Sequence, residues 1–234
     1  MEKSQIIILD ETDSTNKYAE KLALNEWEGL VVAKRQNAGR GRLDRSFISR
    51  PGGLYMSVVS GINESPTDLL HYPLLTAIAV SDFLNDLYSI DTLIKWPNDI
   101  YYKDKKIVGI LVQMYPKRNK TFLVTGVGIN LANGISSDIP YAADLFELTG
   151  QRFEAGDIAA DLADRINDYY SRGQTDKLAF LEKIESRCLT IGRHVRAESA
   201  GISGIAAGIG CNGELIVETD LGGRASIDFG DVIC

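Results

Sequence analysis

Three arginines and two glycines lie within ten residues of this chain, in the segment from Gln36 to Arg45. An arginine side chain carries a planar fork of hydrogen-bond donors that matches carboxylate and phosphate oxygens. A glycine lets the backbone come close to such a ligand, because it has no side chain. The segment therefore predicts an anion-binding loop, although a solvated basic loop without a ligand would have the same composition.

Two further places along the chain carry polar side chains with a choice of roles. Ser14, Thr15 and Asn16 lie at a strand-to-helix junction, where they either cap the helix or bind a polar ligand at its N-terminus. Lys95 stands among apolar neighbours in a short strand. A lysine in such a place either holds a carboxylate or phosphate, or extends its charged end to the surface.

Glycines also occur inside segments that are typical of strands. Gly109 is one, and the run 126–131 contains Gly126 and Gly128. Glycine weakens a strand unless another group must approach the backbone closely, so these positions suggest a ligand lying across the sheet. The run is not a dinucleotide fingerprint, because Leu131 stands where the third glycine would be and no helix pattern follows.

Several common kinds of catalytic site are disfavoured. There are only two histidines, and neither a Gly-x-Ser-x-Gly elbow nor a Gly-x-x-x-x-Gly-Lys-Ser/Thr phosphate loop is present. What remains is a set of cationic and polar residues, namely Arg40, Arg42, Arg45, Lys95 and Asn130. Such a set can handle anionic oxygens by position and charge, without a protein nucleophile.

The elements that must position these residues predict an α+β fold. Strand-like runs occupy residues 6–9, 30–33, 54–59, 107–114 and 121–131, and the first of them reads as a buried strand. Helical periodicity follows Asn16 and recurs at residues 66–87, 141–148, 158–169 and 178–188. After residue 186, four short strands separated by glycine turns predict a small antiparallel barrel. We therefore expect two domains, 1–185 and 186–234.

Composition restricts the partners and the compartment. The 234 residues are 44% hydrophobic and 24% charged, with a formal net charge of -7. This charge argues against broad binding to nucleic acid or anionic membranes. Three cysteines without a Cys-x-x-Cys pair fit a reducing compartment, and we see neither a signal peptide nor a span of about 20 apolar residues. We expect a cytoplasmic protein with no membrane association and no protein-bound metal.

Four motifs in order make the chain resemble the biotin protein ligases, also called biotin–[acetyl-CoA-carboxylase] ligases. The motifs, with Ser14-Thr15-Asn16 upstream of them, are Gly39-Arg40-Gly41-Arg42 followed by Arg45, then Lys95-Trp96-Pro97-Asn98-Asp99, Lys106-Ile107-Val108-Gly109-Ile110-Leu111, and Gly126-Val127-Gly128-Ile129-Asn130-Leu131. The resemblance covers the catalytic domain almost from residue 1. It implies a catalytic domain with a mixed, largely antiparallel sheet packed against helices, and a small SH3-like β-barrel at the C-terminus.

The resemblance also implies roles for individual residues. Biotin would be bound by Ser14, Thr15, Asn16, Gln36, Gly39, Arg40, Gly41, Arg42, Lys95 and Gly109. The nucleotide would contact Arg42, Arg45, Trp96 and Asn130, although Trp96 could instead be only a packing residue. Lys95, Arg40 and Arg42 would be catalytic, because they neutralise charge that builds on the phosphate.

The implied reaction is the ATP-dependent activation of biotin as biotinyl-5'-adenylate, with Mg²⁺. A lysine of a biotin carboxyl carrier domain would then accept the biotinyl group. Residues 1–10 lead directly into the first strand of the expected catalytic domain, so we expect no DNA-binding role. We also expect the protein to be a monomer or a homodimer.

Two alternatives stay open. A lipoate or octanoate ligase or transferase would share the fold, and a nucleic-acid-binding module would use the arginines on phosphates.

Overall fold

The computed structural model describes residues 5–63, 71–173, 175–228, 230, 232 and 233. Part of the predicted helix at 66–87 lies outside these residues. Eleven strands and five helices are described. The strands are β1 (Gln5–Leu9), β2 (Gly29–Ala33), β3 (Leu54–Ile62), β4 (Leu93–Lys95), β5 (Asp99–Tyr102), β6 (Lys105–Pro116), β7 (Thr121–Ile129), β8 (His194–Ala197), β9 (Ile202–Ile209), β10 (Leu215–Thr219) and β11 (Arg224–Ile227). The helices are α1 (Thr15–Ala23), α2 (His71–Tyr88), α3 (Leu145–Thr149), α4 (Ala155–Gly173) and α5 (Lys177–Ser186).

Backbone contacts divide the chain into two compact units. The first comprises residues 1–67 and 101–167, and the second comprises residues 68–100 and 168–234. The predicted boundary at residue 186 stays a prediction. It coincides with the end of α5, after which the short C-terminal strands begin.

The first unit is built on a mixed sheet. Its strands follow the order β1-β2-β3-β7-β6-β5. The β1–β2 pair is parallel, whereas β2–β3, β3–β7 and β6–β7 are antiparallel. Helix α1 packs on this sheet through Ala19 and Ala23, which lie one turn apart and contact a core that includes Val31 and Phe122. The predicted sheet type, mixed and largely antiparallel, is confirmed.

Two local expectations were wrong. Strand β1 is not buried, because it lies at the edge of the sheet, with 49% of Ile6 and 71% of Ile8 exposed. The short helix expected from residue 141 begins at Leu145 instead, since the Asp144 side chain accepts a hydrogen bond from the Glu147 N–H and caps the helix there. Gly150 ends this helix in a left-handed conformation, as expected.

The second unit contains α2, β4, α5 and a four-stranded antiparallel sheet in the order β11-β10-β9-β8. Helix α2 is apolar on most sides and buried along most of its length. Its Asp82 carboxylate accepts hydrogen bonds from Tyr169, Lys183 and Arg187. With this small C-terminal sheet separate from the larger one, the predicted α+β fold class is confirmed.

Candidate active site

The arginine segment forms a hairpin-like loop between β2 and β3. Isolated antiparallel bridges join Gln36 to Ser49 and Arg40 to Ser46. At the tip, the backbone of Leu43 has a φ of 51°, and 65% of this side chain is exposed. The two arms of the loop are therefore paired with each other, and its tip projects into solvent.

Only one of the two loop glycines is required by close packing. A Cβ atom on Gly39 would come within 2.4 Å of the Phe47 carbonyl oxygen and 2.7 Å of Ser49 Oγ. A Cβ atom on Gly41 would meet nothing closer than 3.4 Å, the distance to the Arg45 carbonyl oxygen. A side chain at position 39 would thus separate the two arms, whereas one at position 41 would fit.

The loop arginines differ in their surroundings. Arg40 is exposed, Arg42 is half-buried and Arg45 is exposed. Burial and the neighbouring Glu20 carboxylate raise the pKa of the Tyr115 phenol to about 12, and the positive charge of Arg40 opposes that shift. The positive charge of Arg40 is therefore close enough to affect the phenol of Tyr115, which lies in β6.

Hydrogen bonds tie the start of α1 to the loop. Gln36 Oε1 accepts from the backbone N–H of Thr15 at 2.7 Å, and Gln36 Nε2 donates to Ser49 Oγ at 2.7 Å. Ser14 occupies the N-cap position of α1, yet its side chain makes no capping hydrogen bond. Its hydroxyl therefore does not cap the helix, and ligand binding at this junction stays a prediction.

A second set of bonds fixes the amide of Asn16. Asn16 Nδ2 donates to the Leu111 carbonyl at 3.2 Å and to Gln113 Oε1 at 3.1 Å. Because a carbonyl can only accept, Asn16 Oδ1 points the other way, where Ser57 Oγ donates to it at 2.7 Å. Ser57 Oγ also lies 2.8 Å from Thr15 Oγ1. The buried polar groups of α1, β3 and β6 form one connected network.

The strand glycines make room for side chains of this same chain. A Cβ atom on Gly128 would lie 2.4 Å from the Phe47 ring, and one on Gly109 would lie 2.7 Å from it. A Cβ atom on Gly126 would lie 2.0 Å from Asn16 Oδ1. The glycine-lined face of the sheet was expected to receive a ligand, and in this conformation Phe47 and Asn16 cover it.

Asn130 follows β7 and is held on both its backbone and its side chain. Its N–H donates to the Ile107 carbonyl at 2.9 Å, and its Oδ1 accepts from Asn133 Nδ2 at 3.0 Å. Asn133 Nδ2 also donates to the Tyr55 hydroxyl at 3.0 Å. Burial raises the pKa of Tyr55 to about 12, with the bond from Asn133 and the charge of Arg50 acting in the opposite direction.

Two predicted site residues belong to the second unit. Lys95 is half-buried at the end of β4. Trp96 is only 2% exposed, and its indole N–H donates to the Gly213 carbonyl at 2.9 Å. The Trp96 backbone N–H donates to Thr190 Oγ1 at 3.0 Å, and the Trp96–Pro97 peptide bond is cis. These contacts account for the burial of Trp96, so its contact with a nucleotide stays a prediction.

The first unit brings together most of the residues expected to bind biotin. They are Ser14, Thr15, Asn16, Gln36, Gly39 and Gly109. Several partners of these residues and of Asn130 were missed at the level of sequence, namely Phe47, Tyr55, Ser57, Gln113 and Asn133. Ser57 had a usable signal, because it is a hydroxyl residue inside an apolar strand. The other four had none, since their partners are distant along the chain or are defined only by side-chain direction.

The two arms of the loop also border a pocket. Its volume is about 480 Å³, and residues 35–39 and 46–51 line it. Pockets for small molecules commonly occupy about 300–1,000 Å³. The loop can therefore offer a small ligand a concave surface with polar side chains and backbone groups along it.

Within the described part of the chain, no group of three or more histidine, cysteine, aspartate or glutamate side chains is placed to hold a metal ion. No helix among the residues described above is long and apolar enough to cross a membrane.

Comparison with known proteins gives consistent matches. The model of the biotin/lipoate A/B protein ligase family matches residues 8–130. The bifunctional ligase/repressor BirA of Bacillus subtilis is 35% identical over 233 residues, which span 93% of this chain and 70% of that protein. The biotin–[acetyl-CoA-carboxylase] ligase of Mycobacterium tuberculosis is 29% identical over 241 residues, which span 98% of this chain and 88% of that protein.

A solved structure agrees with these matches over nearly the whole chain. The biotin protein ligase of Aquifex aeolicus, in complex with biotin and ATP, superposes with a TM-score of 0.82 and 32% identity. The superposition covers 98% of this chain and 97% of the other. Together with the family match over more than half of the residues, this shows that the chain belongs to the biotin/lipoate A/B protein ligase family.

Proposed function

We propose that this protein is an ATP-dependent biotin–[biotin carboxyl carrier protein] ligase. It activates biotin as biotinyl-5'-adenylate and transfers the biotinyl group to a lysine of a carrier domain. The observation that carries the proposal is the hydrogen-bonded connection from Thr15 through Gln36 to Ser49. It joins a polar helix start to a loop bearing three arginines, in a chain whose relatives are biotin ligases.

The network around α1 suits the ureido ring of biotin. That ring presents one carbonyl acceptor and two N–H donors, so its site must supply both donors and acceptors. The side chains of Ser14, Thr15, Asn16 and Gln36 provide both kinds of group. Because Asn16 and Gln36 are held by fixed partners, little side-chain freedom is lost when the ligand binds.

The cationic residues suit the other end of the ligand. We assign Arg40 and Arg42 to the biotin carboxylate and the α-phosphate, and Arg45, Trp96 and Asn130 to the nucleotide. Lys95 supplies a further positive charge for the carboxylate and the α-phosphate. Preorganised donors of this kind stabilise the charge that develops as the phosphate reacts.

The first chemical step forms the adenylate. A carboxylate oxygen of biotin attacks the α-phosphorus of ATP, the bond from that phosphorus to the bridging oxygen of the β-phosphate breaks, and pyrophosphate leaves. No protein nucleophile is needed, because the substrate carboxylate is itself the nucleophile. The arginine loop then shields the mixed anhydride from water.

The second step transfers the biotinyl group. The neutral ε-amino group of a carrier lysine attacks the carbonyl carbon of the anhydride, the carbon–oxygen bond to the phosphate breaks, and AMP leaves. The nitrogen loses a proton, and an amide remains. We propose a biotin carboxyl carrier domain as this partner, with the ligase acting in the cytoplasm as a monomer or a homodimer.

We propose that Mg²⁺ arrives with ATP and is bound by its phosphate oxygens. Mg²⁺ retains several waters and commonly binds through substrate phosphates rather than an all-protein cage.

Carrier labelling tests the proposal. The protein is mixed with ATP, Mg²⁺, biotin and an apo carrier domain, and the carrier is probed with streptavidin. We expect label that depends on ATP and is absent when the carrier lysine is replaced by arginine. Parallel reactions with lipoate and octanoate, followed by the mass of the carrier, separate biotin ligation from the related acylations. Carrier that gains only lipoyl or octanoyl mass would overturn the assignment to biotin.

A further inference from the structure

A short chain of buried hydrogen bonds ends at Asn130. The Tyr55 hydroxyl donates to the Arg50 carbonyl at 2.6 Å, Asn133 Nδ2 donates to Tyr55 Oη at 3.0 Å, and the same Nδ2 donates to Asn130 Oδ1 at 3.0 Å. Tyr55, Asn130 and Asn133 are 1%, 4% and 7% exposed. The partners of these groups are therefore fixed by the protein rather than by solvent.

Which group donates and which accepts in each of these hydrogen bonds follows from the Arg50 carbonyl, where the series begins. A backbone carbonyl can only accept, so the single hydroxyl proton of Tyr55 lies between two oxygens that are 2.6 Å apart. Tyr55 Oη can then only accept from Asn133, which must present its Nδ2 there. Because the same Nδ2 also faces Asn130, the Asn130 atom that accepts from it must be Oδ1.

The reverse orientation of the Asn133 amide is excluded by the same contacts. It would place Asn133 Oδ1 against Tyr55 Oη, whose proton is already donated to the Arg50 carbonyl. The orientation that occurs has a cost, since Asn133 Oδ1 is buried without a hydrogen-bond partner among the described residues. The raised pKa of Tyr55, about 12, means that its proton is retained at working pH.

The backbone of Asn130 leaves only its side chain free to turn. Its N–H donates to the Ile107 carbonyl, and its own carbonyl accepts from the Leu145 N–H, both at 2.9 Å. With Oδ1 directed to Asn133, Asn130 Nδ2 is the end of the amide that can meet a ligand.

We propose that Asn133 is a positioning residue that makes Asn130 present a hydrogen-bond donor to the nucleotide. The proposal rests on the proposed function and deepens it. Asn130 recognises an acceptor atom, either a phosphate oxygen or a ring nitrogen of the base, and is not a ligand of Mg²⁺. Tyr55 and the Arg50 carbonyl set the polarity of the whole chain.

The test replaces Asn133 with aspartate, which has the same shape but no donor. In Asn133→Asp, the carboxylate would accept from Asn130 Nδ2, so Asn130 would turn its Oδ1 toward the nucleotide. We expect KM for ATP to rise about tenfold, the size of one lost hydrogen bond to a charged or buried partner, with biotin affinity unchanged. The exposed Asn119→Asp is the matched control for added charge, and we expect its KM for ATP to be unchanged.

Two further measurements separate positioning from a general structural role. In an Asn130→Ala background, Asn133→Asp should raise KM for ATP no further, because the group that it positions is gone. Tyr55→Phe removes the hydroxyl that sets the polarity, so it should raise KM for ATP while biotin affinity is kept. ATP analogues that each lack one acceptor ring nitrogen, N1, N3 or N7, distinguish the two acceptors. If a ring nitrogen is the partner, Asn133→Asp would leave the KM of the analogue lacking that nitrogen unchanged, and if a phosphate oxygen is the partner, it would raise the KM of all three.

The results that would contradict the role of Asn133 differ from those that would contradict the proposed ligase function. If the wild-type protein biotinylates a carrier but Asn133→Asp keeps a normal KM for ATP, this inference is wrong and the proposed function stands. An equal loss of ATP and biotin affinity in both Asn133→Asp and Tyr55→Phe would also overturn it. If the wild-type protein does not biotinylate at all, calorimetric titration with ATP alone still compares the same variants.

Discussion

The ring of Phe47 lies against Gly128, so close that a Cβ atom at position 128 would come within 2.4 Å of it. Phe47 belongs to the loop that carries the arginines, and Gly128 belongs to a central strand. The same ring also covers Gly109. The packing of the loop on the sheet thus depends on two positions that have no side chain.

Gly128→Ala should displace Phe47 and loosen the loop. We expect biotin binding to weaken by about 1–3 kcal/mol, the usual cost of overpacking a well-filled site. Gly156→Ala is the control, because a Cβ atom there meets nothing within 4 Å, and it should leave biotin binding unchanged. Calorimetric titration with biotin measures both. Equal affinities in the two variants would mean that Phe47 does not organise the site.

The two loop glycines make a matched pair. Gly39→Ala should separate the arms of the loop and lower the rate of adenylate formation about tenfold or more, because the Phe47 carbonyl oxygen would be 2.4 Å from the new Cβ. Gly41→Ala should lower the rate less than Gly39→Ala, since the nearest protein atom to its new Cβ would be 3.4 Å away. Single-turnover measurements with biotin and ATP compare them. A larger loss in Gly41→Ala would show that ligand contact, and not loop closure, governs this segment.

Ser57→Ala tests the buried network beneath the predicted biotin site. It leaves Asn16 Oδ1 without its donor, so we expect a loss of about 1–3 kcal/mol in the free energy of unfolding and weaker biotin binding. Ser60→Ala, on the same strand, removes a hydroxyl that donates to Asn167 Oδ1. That control should also lose stability but keep its affinity for biotin. If both variants bind biotin alike, the network serves stability alone.

The stability of the second unit should fall in acid through Asp82. Burial alone would raise the pKa of this carboxyl, but hydrogen bonds from Lys183 and Tyr169, together with the charges of Lys183 and Arg187, hold it below the ordinary 3.8. A group with a lowered folded-state pKa contributes stability that is full above the unfolded value and is lost as pH falls through the folded value. We therefore expect the contribution of Asp82 to be constant above about pH 5 and to decline below pH 4.

Asp82→Asn provides the corresponding variant. It should lower the free energy of unfolding by about 1–3 kcal/mol at pH 7, less than for a fully buried pair, because Lys183 and Arg187 are partly exposed. Urea denaturation across pH measures this difference. A gap between wild type and variant that grows toward acid pH would contradict the assignment.

Some features of the fold were accessible from the sequence because they depend on local patterns. Apolar periodicity and glycine turns placed β6, β7 and the C-terminal strands within a few residues. The exposure of Ile8 in β1 was not accessible, since an edge strand and a central strand have the same apolar pattern. The start of α3 depended on one capping bond from Asp144, which periodicity does not reveal.

The residues of the candidate site also fall into those that the sequence can indicate and those that only the folded structure shows. Arg40 was singled out because arginines beside glycines in a loop are chemically distinctive, whereas Gln36 was assigned only through the resemblance to the biotin protein ligases. The ligand contacts of both residues stay predictions. Phe47 and Asn133 could not be found, since an aromatic residue in a loop and an asparagine after a strand have many ordinary roles. Their importance here comes from contacts with Gly128 and Asn130, which exist only after folding.

Biotin-dependent exchange of labelled pyrophosphate into ATP, measured without any carrier, tests the central claim most directly. The exchange requires reversible formation of an acyl-adenylate, so we expect it in the wild-type protein only when biotin is present. Lys95→Ala should lose the exchange while keeping its cooperative unfolding, and the exposed Lys34→Ala should retain it. Pyrophosphate exchange that does not depend on biotin, or no exchange at all by the folded wild-type protein, would contradict the account.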